Sequence, residues 1–148
     1  MRTFSSIAAG LVLLASTPAL AAPCTLSPKQ IVTDFLTTLQ PGTPARQHFE
    51  KWVDPGYIQH NPMVPTGREG AIAFFDGFMK AYPGYSYTLK RAIAEGDLVA
   101  VHGLFKMTPD DRGSAVMDIF RVQGCKVMEH WDVVQPIPEK AQNQNGMF

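Results

Sequence analysis

Among the ionisable side chains in the last two apolar segments of the chain, three are candidates for chemistry. Asp118 stands between two apolar neighbours in one segment, and His130 and Asp132 follow in the next. Burying a carboxylate is costly unless it is paired or protonated. Burial also raises the proton affinity of a carboxyl, which can then act as a general acid or base while a histidine relays the proton. The segments therefore predict acid–base catalysis; the open alternative is an ion pair of Asp118 with Arg91 or Arg121.

Further candidates come from neighbouring segments. His102 is the first ionisable residue in the apolar stretch that begins at Leu98, and we assign it to the same catalytic group. His60 also lies beside an apolar segment and is predicted to contact the substrate. The side chains predicted to form the wall of a binding pocket are those of Tyr57, Phe120 and Trp131.

Other kinds of chemistry are not indicated. His60, His102, His130 and Asp132 lack the helical HxxxH spacing of many zinc sites, so no metal is predicted. The sequence has neither a Gly-rich phosphate loop nor a GxSxG motif, and no cofactor is expected. The 13 basic and 13 acidic residues form no basic stripe, so nucleic acid is not an expected partner.

The first residues predict export. Arg2 precedes an apolar run over 7–15 and the small-residue pattern Ala19-Leu20-Ala21, which is the layout of a secretory signal peptide. The run is too short to span a bilayer, which needs ~20 residues. We expect a signal peptide at 1–21 and a single mature domain at 22–148, with no membrane attachment, in the periplasm or outside the cell.

The two cysteines allow two interpretations. Cys24 lies at the predicted mature N-terminus and Cys125 in a predicted turn. In an oxidising compartment a disulfide between them would attach the N-terminal arm to the sheet. Both could equally remain free thiols.

Helices are predicted in the first half of the domain. Ser27-Pro28 is typical of a helix start, and Pro41 marks the end of that helix. A second helix is predicted over 45–53, with His48 on its surface. Thr66 and Glu69 have the spacing of a capping box that opens a third helix. "YIQHNP", at 57–62, is predicted to be an extended segment or a tight turn.

Strands are predicted in the second half, over 85–94, 98–107, 114–123 and 126–135. Their short connections favour an antiparallel meander. The predicted fold is therefore α+β, with N-terminal helices packed on a strongly curved antiparallel sheet around a conical apolar pocket. Residues 136–148 are predicted to be a tail without regular structure.

The register of the last hairpin stays open at this point. A plain two-residue turn at Gly124-Cys125 would place Asp118 opposite Trp131 and turn His130 and Asp132 to the other face. A one-residue bulge would bring all three ionisable groups to one face.

Several strings of the sequence resemble one known family. "YIQHNP", "GREGAIAFF", "AEGDLVAVH", "DIFRVQGCKVMEHWDVVQPIPE" and the final "NGMF" are similar to SnoaL-like polyketide cyclases of the NTF2-like superfamily. The resemblance covers Phe49 to Phe148. Within the family, it is most specific to a bacterial branch described as aldol-condensation enzymes.

The resemblance implies a cone-shaped fold, a homodimer and acid–base chemistry without a cofactor. It assigns the general acid/base to Asp132, on the last strand. It also likens "DIFRV" to the ketosteroid-isomerase strand with an oxyanion-stabilising aspartate, which matches Asp118 here. Relatives usually have Asn-Gly-Lys where this chain has Gly124-Cys125-Lys126, a departure that fits a disulfide in exported members.

Two functions are therefore weighed. The first is a cofactor-independent enzyme of the cyclase or isomerase type, acting on a small apolar molecule that contains a carbonyl group. In it, Asp132 or Asp118 would remove a proton and a histidine would donate to the enolate oxygen. The alternative is an exported binding protein that holds a small molecule in the same pocket without converting it.

Overall fold

The computed structural model describes residues 24–148, so the predicted signal peptide at 1–21 lies outside the described residues. Three helices and five strands occur in this part of the chain. Their bounds are α1 (Pro28–Thr38), α2 (Ala45–Trp52), β1 (Val53–Gln59), α3 (Arg68–Ala81), β2 (Ser86–Glu95), β3 (Leu98–Lys106), β4 (Ser114–Gln123) and β5 (Lys126–Pro136). The predicted α+β class is confirmed, with one strand more than expected. None of the described helices has both the length and the apolar character needed to cross a membrane.

The two helix starts that the sequence singled out have different outcomes. Ser27 caps α1 in a reciprocal capping box with Gln30, with Pro28 at the first helical position, so this start is confirmed. The capping box predicted at Thr66 and Glu69 is wrong, because Gly67 is the N-cap of α3 and makes no side-chain cap bond. The hydroxyl of Thr66 instead accepts a hydrogen bond from the backbone N–H of Gln59, at 3.3 Å.

The sheet has the strand order β1-β5-β4-β3-β2. Strands β2 to β5 form the predicted antiparallel meander, and β1 joins its edge parallel to β5. The expectation of four strands is thus corrected to five. Pro55 explains why β1 is an edge strand, since a residue without an N–H is tolerated there and not within a sheet.

A bulge sets the register of the last hairpin. Gln123 pairs with Lys126 across the turn, but the register shifts after Val122, and Met128 is the extra residue. Beyond the shift Asp118 lies directly opposite Asp132. Of the two registers left open by the sequence, the bulged one is therefore correct.

The helices cover one face of the sheet and enclose the core. The ring of Phe35 in α1 meets Phe120 of β4 edge-on, at 5.9 Å between centroids. The prediction that His48 lies on the surface of α2 is wrong: it is 6% exposed and stacks on Phe35 at 5.2 Å. The buried residues of α2 are Ala45, His48, Phe49 and Trp52, whose spacing is that of one helical face.

A disulfide joins the N-terminal arm to the β4–β5 turn. Cys24 and Cys125 are bonded, with their Cα atoms 5.4 Å apart. Gly124 and Cys125 both have positive φ, 53° and 68°, as a tight two-residue hairpin turn requires. Of the two states left open for these cysteines, the structure has the bridged one.

Candidate active site

A cavity of about 340 Å³ lies between the helices and the inner face of the sheet. Its wall is largely apolar and rich in aromatic side chains, namely those of Phe35, Phe49, Tyr57, Phe74, Phe75, Phe78, Tyr85, Tyr87, Phe105 and Phe120. The polar lining residues are Gln59, Asn61, Ser114, Asp118, His130 and Asp132. No lysine or arginine of residues 24–148 lines the cavity, so apart from tyrosines its ionisable groups are two carboxyl groups and one imidazole.

Asp118 and His130 form a buried pair on neighbouring strands. Asp118 Oδ1 lies 3.0 Å from His130 Nε2, and the two residues are 5% and 9% exposed. Phe120 stacks on the imidazole at 4.5 Å between centroids. The Tyr87 hydroxyl donates to Asp118 Oδ2 at 2.6 Å, and burial together with the Asp118 charge raises the pKa of Tyr87. Tyr87 therefore keeps its proton and holds the carboxylate.

Gln59 occupies the other side of the imidazole. Its Oε1 lies 3.0 Å from His130 Nδ1, and its Nε2 donates to the Tyr57 hydroxyl at 2.9 Å. Burial raises the pKa of Tyr57, and the charges of Asp132 and Asp118 add to this shift. A network of side chains thus runs from Tyr57 through Gln59 and His130 to Asp118.

Asp132 is the less restrained carboxylate. Its Oδ2 accepts a hydrogen bond from the side-chain amide of Asn61 at 2.7 Å, and the residue is half-buried at the cavity wall. No basic group among the described residues forms an ion pair with it. Asp132 is therefore able to take a proton from a molecule in the cavity.

The same three residues are the group in the described part of the chain best arranged to hold a metal ion. One ligand atom from each of Asp118, His130 and Asp132 lies within 4.8 Å of the others. In the structure these atoms are instead engaged with one another or with Tyr87 and Asn61. Asp118, His130 and Asp132 are thus linked by hydrogen bonds to each other, to Tyr87 and to Asn61.

Three of the residues assigned to the site from sequence lie on the opposite face of the sheet. His102 pairs with outward-facing Met117 and stacks on Phe148, near the C-terminus. His60 contacts Glu129 through Nε2 at 2.9 Å and stacks on Trp131 at 4.8 Å. None of His60, His102 and Trp131 lines the cavity.

Strand alternation explains these positions, because successive side chains point to opposite faces. His60 lies between Gln59 and Asn61, and Trp131 lies between His130 and Asp132. The structure therefore brings together Asp118, His130, Asp132, Tyr57 and Phe120, and it does not give the other three any contact with a molecule in the cavity.

Three cavity residues were not identified from the sequence. Gln59 and Asn61 flank His60 at alternate positions, so a strand assignment for "YIQHNP" would have placed them on one face. Tyr87 lies in β2, where neither its type nor its spacing distinguishes it from a core tyrosine. The hydrogen bond to Asp118 is visible only once the strands are assembled.

Comparison with known proteins identifies the family. The model of the SnoaL-like domain matches residues 32–130. The chain therefore belongs to the SnoaL-like family, which confirms the resemblance noted in the sequence. No protein in the comparison with curated sequences matches this chain.

Solved structures with the same fold are numerous. A candidate polyketide cyclase from Acidithiobacillus ferrooxidans is 18% identical, with TM-score 0.62 over 75% of this chain and 90% of its own. TsrD from Streptomyces laurentii is 25% identical, with TM-score 0.58 over 71% of this chain and 85% of its own. A candidate ketosteroid isomerase from Kribbella flavida is 20% identical, with TM-score 0.60 over 80% of this chain and 83% of its own. These similarities support the NTF2-like fold.

Proposed function

We propose that this protein is a cofactor-independent acid–base enzyme that acts on a small, largely apolar molecule containing a carbonyl group. The observation that carries the proposal is the placement of Asp132 and the Asp118–His130 pair together in one aromatic cavity. The structural relatives with this fold include a candidate polyketide cyclase and a candidate ketosteroid isomerase, and this supports the same class of reaction.

The two acid–base groups suit opposite ends of a proton transfer. Asp132, held only by the Asn61 amide, would remove a proton from the carbon next to the carbonyl. The electron pair of that C–H bond moves into the C–C bond of an enolate, and the carbonyl becomes its C–O⁻ end. The Asp118–His130 pair would donate a proton to that oxygen, and apolar walls that exclude water strengthen both contacts.

The enolate can then follow two courses within the proposed class. Attack on a second carbonyl of the same molecule gives an aldol ring closure, and return of the proton from Asp132 to another carbon gives an isomerisation. Both courses regenerate the residues and need no added redox partner. Both also begin with the same step, so that step is the one to test.

The test follows exchange of the α-hydrogens of a bicyclic aromatic ketone, 2-tetralone, for deuterium in heavy water by NMR. We expect wild-type protein to accelerate exchange and Asp132→Asn to lower the protein-catalysed rate by at least about 100-fold, within the range of general-base contributions. His102→Gln, on the outer face, is the control and should leave the rate unchanged. Equal rates for wild type, Asp132→Asn and Asp118→Asn would contradict the proposal and favour a binding protein.

We also propose that the protein is exported. The Cys24–Cys125 disulfide supports this, because such bonds persist in oxidising compartments. Expression of the full chain in a bacterial host, followed by N-terminal sequencing of the extracytoplasmic fraction, is expected to give a chain that starts at Ala22. Protein found only in the cytoplasm with Met1 retained would contradict export.

A homodimer is the assembly we propose. The outer face of the sheet exposes a row of apolar side chains, namely Ile93, Met117, Ile119 and Val133. An exposed apolar patch of this kind is typical of an interface between proteins. We expect light scattering to give twice the chain mass for wild type and the single mass for Ile119→Glu; a monomeric wild type would contradict the proposal.

A further inference from the structure

We propose that Gln59 is a positioning residue that keeps a hydrogen on His130 Nδ1, so that His130 and Asp118 share one proton on the other side of the ring. The inference deepens the proposed function, on which its catalytic meaning rests, because it says why this pair acts as the proton donor. The hydrogen bonds among Gln59, His130 and Asp118 form without a substrate, so they can be tested separately from catalysis.

Hydrogen bonds on both sides of the Gln59 amide define its orientation. The backbone N–H of Asn61 lies 2.9 Å from one terminal atom of Gln59. A backbone N–H can only donate, so this atom must be the amide oxygen. The other terminal atom, the nitrogen, then donates to the Tyr57 hydroxyl at 2.9 Å. Contacts on both sides of the amide agree, and a flipped amide would place two donors against each other.

The Gln59 oxygen in turn determines which nitrogen of His130 carries a hydrogen. The same Gln59 oxygen lies 3.0 Å from His130 Nδ1. Oxygen is an acceptor, so a hydrogen bond at this distance requires a hydrogen on Nδ1. The backbone N–H of Asn61 thus determines the state of His130 through the Gln59 amide.

The opposite nitrogen of the ring faces Asp118. His130 Nε2 lies 3.0 Å from Asp118 Oδ1. With Nδ1 protonated, a neutral ring has only a lone pair at Nε2, and a lone pair facing an ionised carboxylate would be repelled. A proton must therefore lie between these atoms, either as imidazolium with carboxylate or as imidazole with carboxylic acid. The two descriptions contain the same number of protons and carry no net charge.

The surroundings of the pair are consistent with a shared proton. Tyr87 of β2 donates to the second oxygen of Asp118 and so stabilises negative charge there. The other ionisable groups facing the pair are Tyr57 of β1 and Asp132 of β5, while the helical side of the cavity presents aromatic rings. One proton can leave the pair for a substrate oxygen, and the pair is then left with a single negative charge that the Tyr87 bond stabilises.

The test is nitrogen NMR of protein labelled with ¹⁵N at histidine, with His130 assigned from a His130→Gln sample. At neutral pH we expect Nδ1 of His130 in the wild type to show the shift of a protonated nitrogen. In Gln59→Leu the population with hydrogen on Nε2 alone should rise, since nothing holds the hydrogen on Nδ1. Gln59→Glu keeps an acceptor at this position and should restore the wild-type pattern, while Gln135→Leu, away from the ring, is the matched control.

The wild-type measurement decides the inference even if Gln59→Leu fails to fold. An unprotonated Nδ1 in wild-type His130, or an identical pattern in a folded Gln59→Leu protein, would overturn it. In the ketone exchange assay, Gln59→Leu should lower kcat by about 100-fold with less change in KM, and Gln135→Leu should leave both unchanged. A protonated Nδ1 in a protein that catalyses no exchange would refute the proposed function and leave this inference intact.

Discussion

Gly103 has no side chain, and this leaves the space that the ring of Tyr87 occupies. A Cβ built at this glycine would overlap the ring and hydroxyl of Tyr87, which lies against the β3 backbone and donates to Asp118. Gly103→Ala is therefore expected to displace Tyr87 and to lower the free energy of unfolding by about 1–3 kcal/mol, as overpacking does. Urea unfolding measures this change.

Gly77→Ala is the control for Gly103→Ala. Gly77 lies within α3, and a Cβ there would meet nothing within 4 Å. Alanine favours a helix over glycine, so this variant should be slightly more stable than wild type. Gly103→Ala with unchanged stability would show that Tyr87 does not depend on contact with the β3 backbone.

His48 predicts a specific dependence of stability on pH. Burial lowers the pKa of His48 from 6.5 to about 4, because the charged ring would lose its hydration. The unfolded chain then binds the proton more tightly, so the stabilisation is complete above pH 6.5 and is lost as the pH falls towards 4. This one group should reduce the stability of wild type by about 2 kcal/mol between pH 7 and pH 5.

Comparison with His48→Leu isolates this effect from that of the surface carboxylates. Leucine has a similar volume and does not titrate, so the variant should lose less stability than wild type between pH 7 and pH 5. Urea unfolding at the two pH values gives the difference. Parallel losses in the two proteins would mean that His48 is not the acid-sensitive group.

At the scale of elements, the sequence predicted the helices and the antiparallel meander but not the register of the last hairpin. The reason is that both faces of the sheet are largely apolar. On β5 the outward positions hold Trp131 and Val133, whereas the inward positions hold His130 and Asp132. The usual rule that apolar side chains point inward therefore selects the wrong face, and only the bulge at Met128 resolves it.

Strand β1 was missed for a different physical reason. Its sequence contains Asp54-Pro55-Gly56, a composition typical of a turn. Pairing with β5 compensates for that local preference, since an edge strand needs hydrogen bonds on one side only. Because β1 was not predicted, two residues of the site were missed: Gln59, which contacts His130, and Asn61, which contacts Asp132.

Deletion of Met128 tests the role of the bulge. Without this residue Val122 still pairs with Val127, and Arg121 with Glu129, so the strand regains regular alternation and Asp132 stays opposite Asp118. We expect a folded protein that retains ketone exchange, with a loss of stability of about 2 kcal/mol or less. Thermal unfolding and the exchange assay measure the two properties.

Deletion of Trp131 is the matched comparison for Met128. It lies beyond the bulge, so its loss moves Asp132 by one position and turns its carboxylate to the outer face. Exchange should therefore be abolished in a protein of the same length. Loss of exchange in both deletion variants would show that the bulge itself, and not only the register, shapes the site.

At the scale of the whole molecule, a cone with a pocket was predictable from the sequence, but which side chains line the pocket and which face outward was not. Of the inward-facing aromatic side chains, only Tyr57 and Phe120 were predicted to line the pocket, and the structure shows that many more, from α1, α3 and the inner sheet, surround it. Aromatic residues have the same type and spacing in the sequence whether they pack in a core or line a cavity. Whether they meet or leave a space depends on the distance between the helices and the sheet, which local patterns do not encode.

The disulfide acts on most of the molecule, because the sequence separation of 101 residues between its cysteines encloses every described helix and strand except β5. In the chain-entropy description, a loop of this length restricts the unfolded state most strongly, while little changes in the folded state. Cys24→Ser with Cys125→Ser is therefore expected to lower the free energy of unfolding by about 2–4 kcal/mol. Neither cysteine lines the cavity, so ketone exchange should persist wherever the variant is folded.

Reductant distinguishes the bond from the substitutions themselves. Dithiothreitol should lower the thermal midpoint of wild type towards that of the double variant and should leave the variant unchanged. A wild type that is insensitive to reductant, and equal in stability to the variant, would show that the bond does not constrain the unfolded chain. The position of the N-terminal arm would then depend on α1 alone. The capping box at the start of α1 begins at Ser27, only three residues after Cys24.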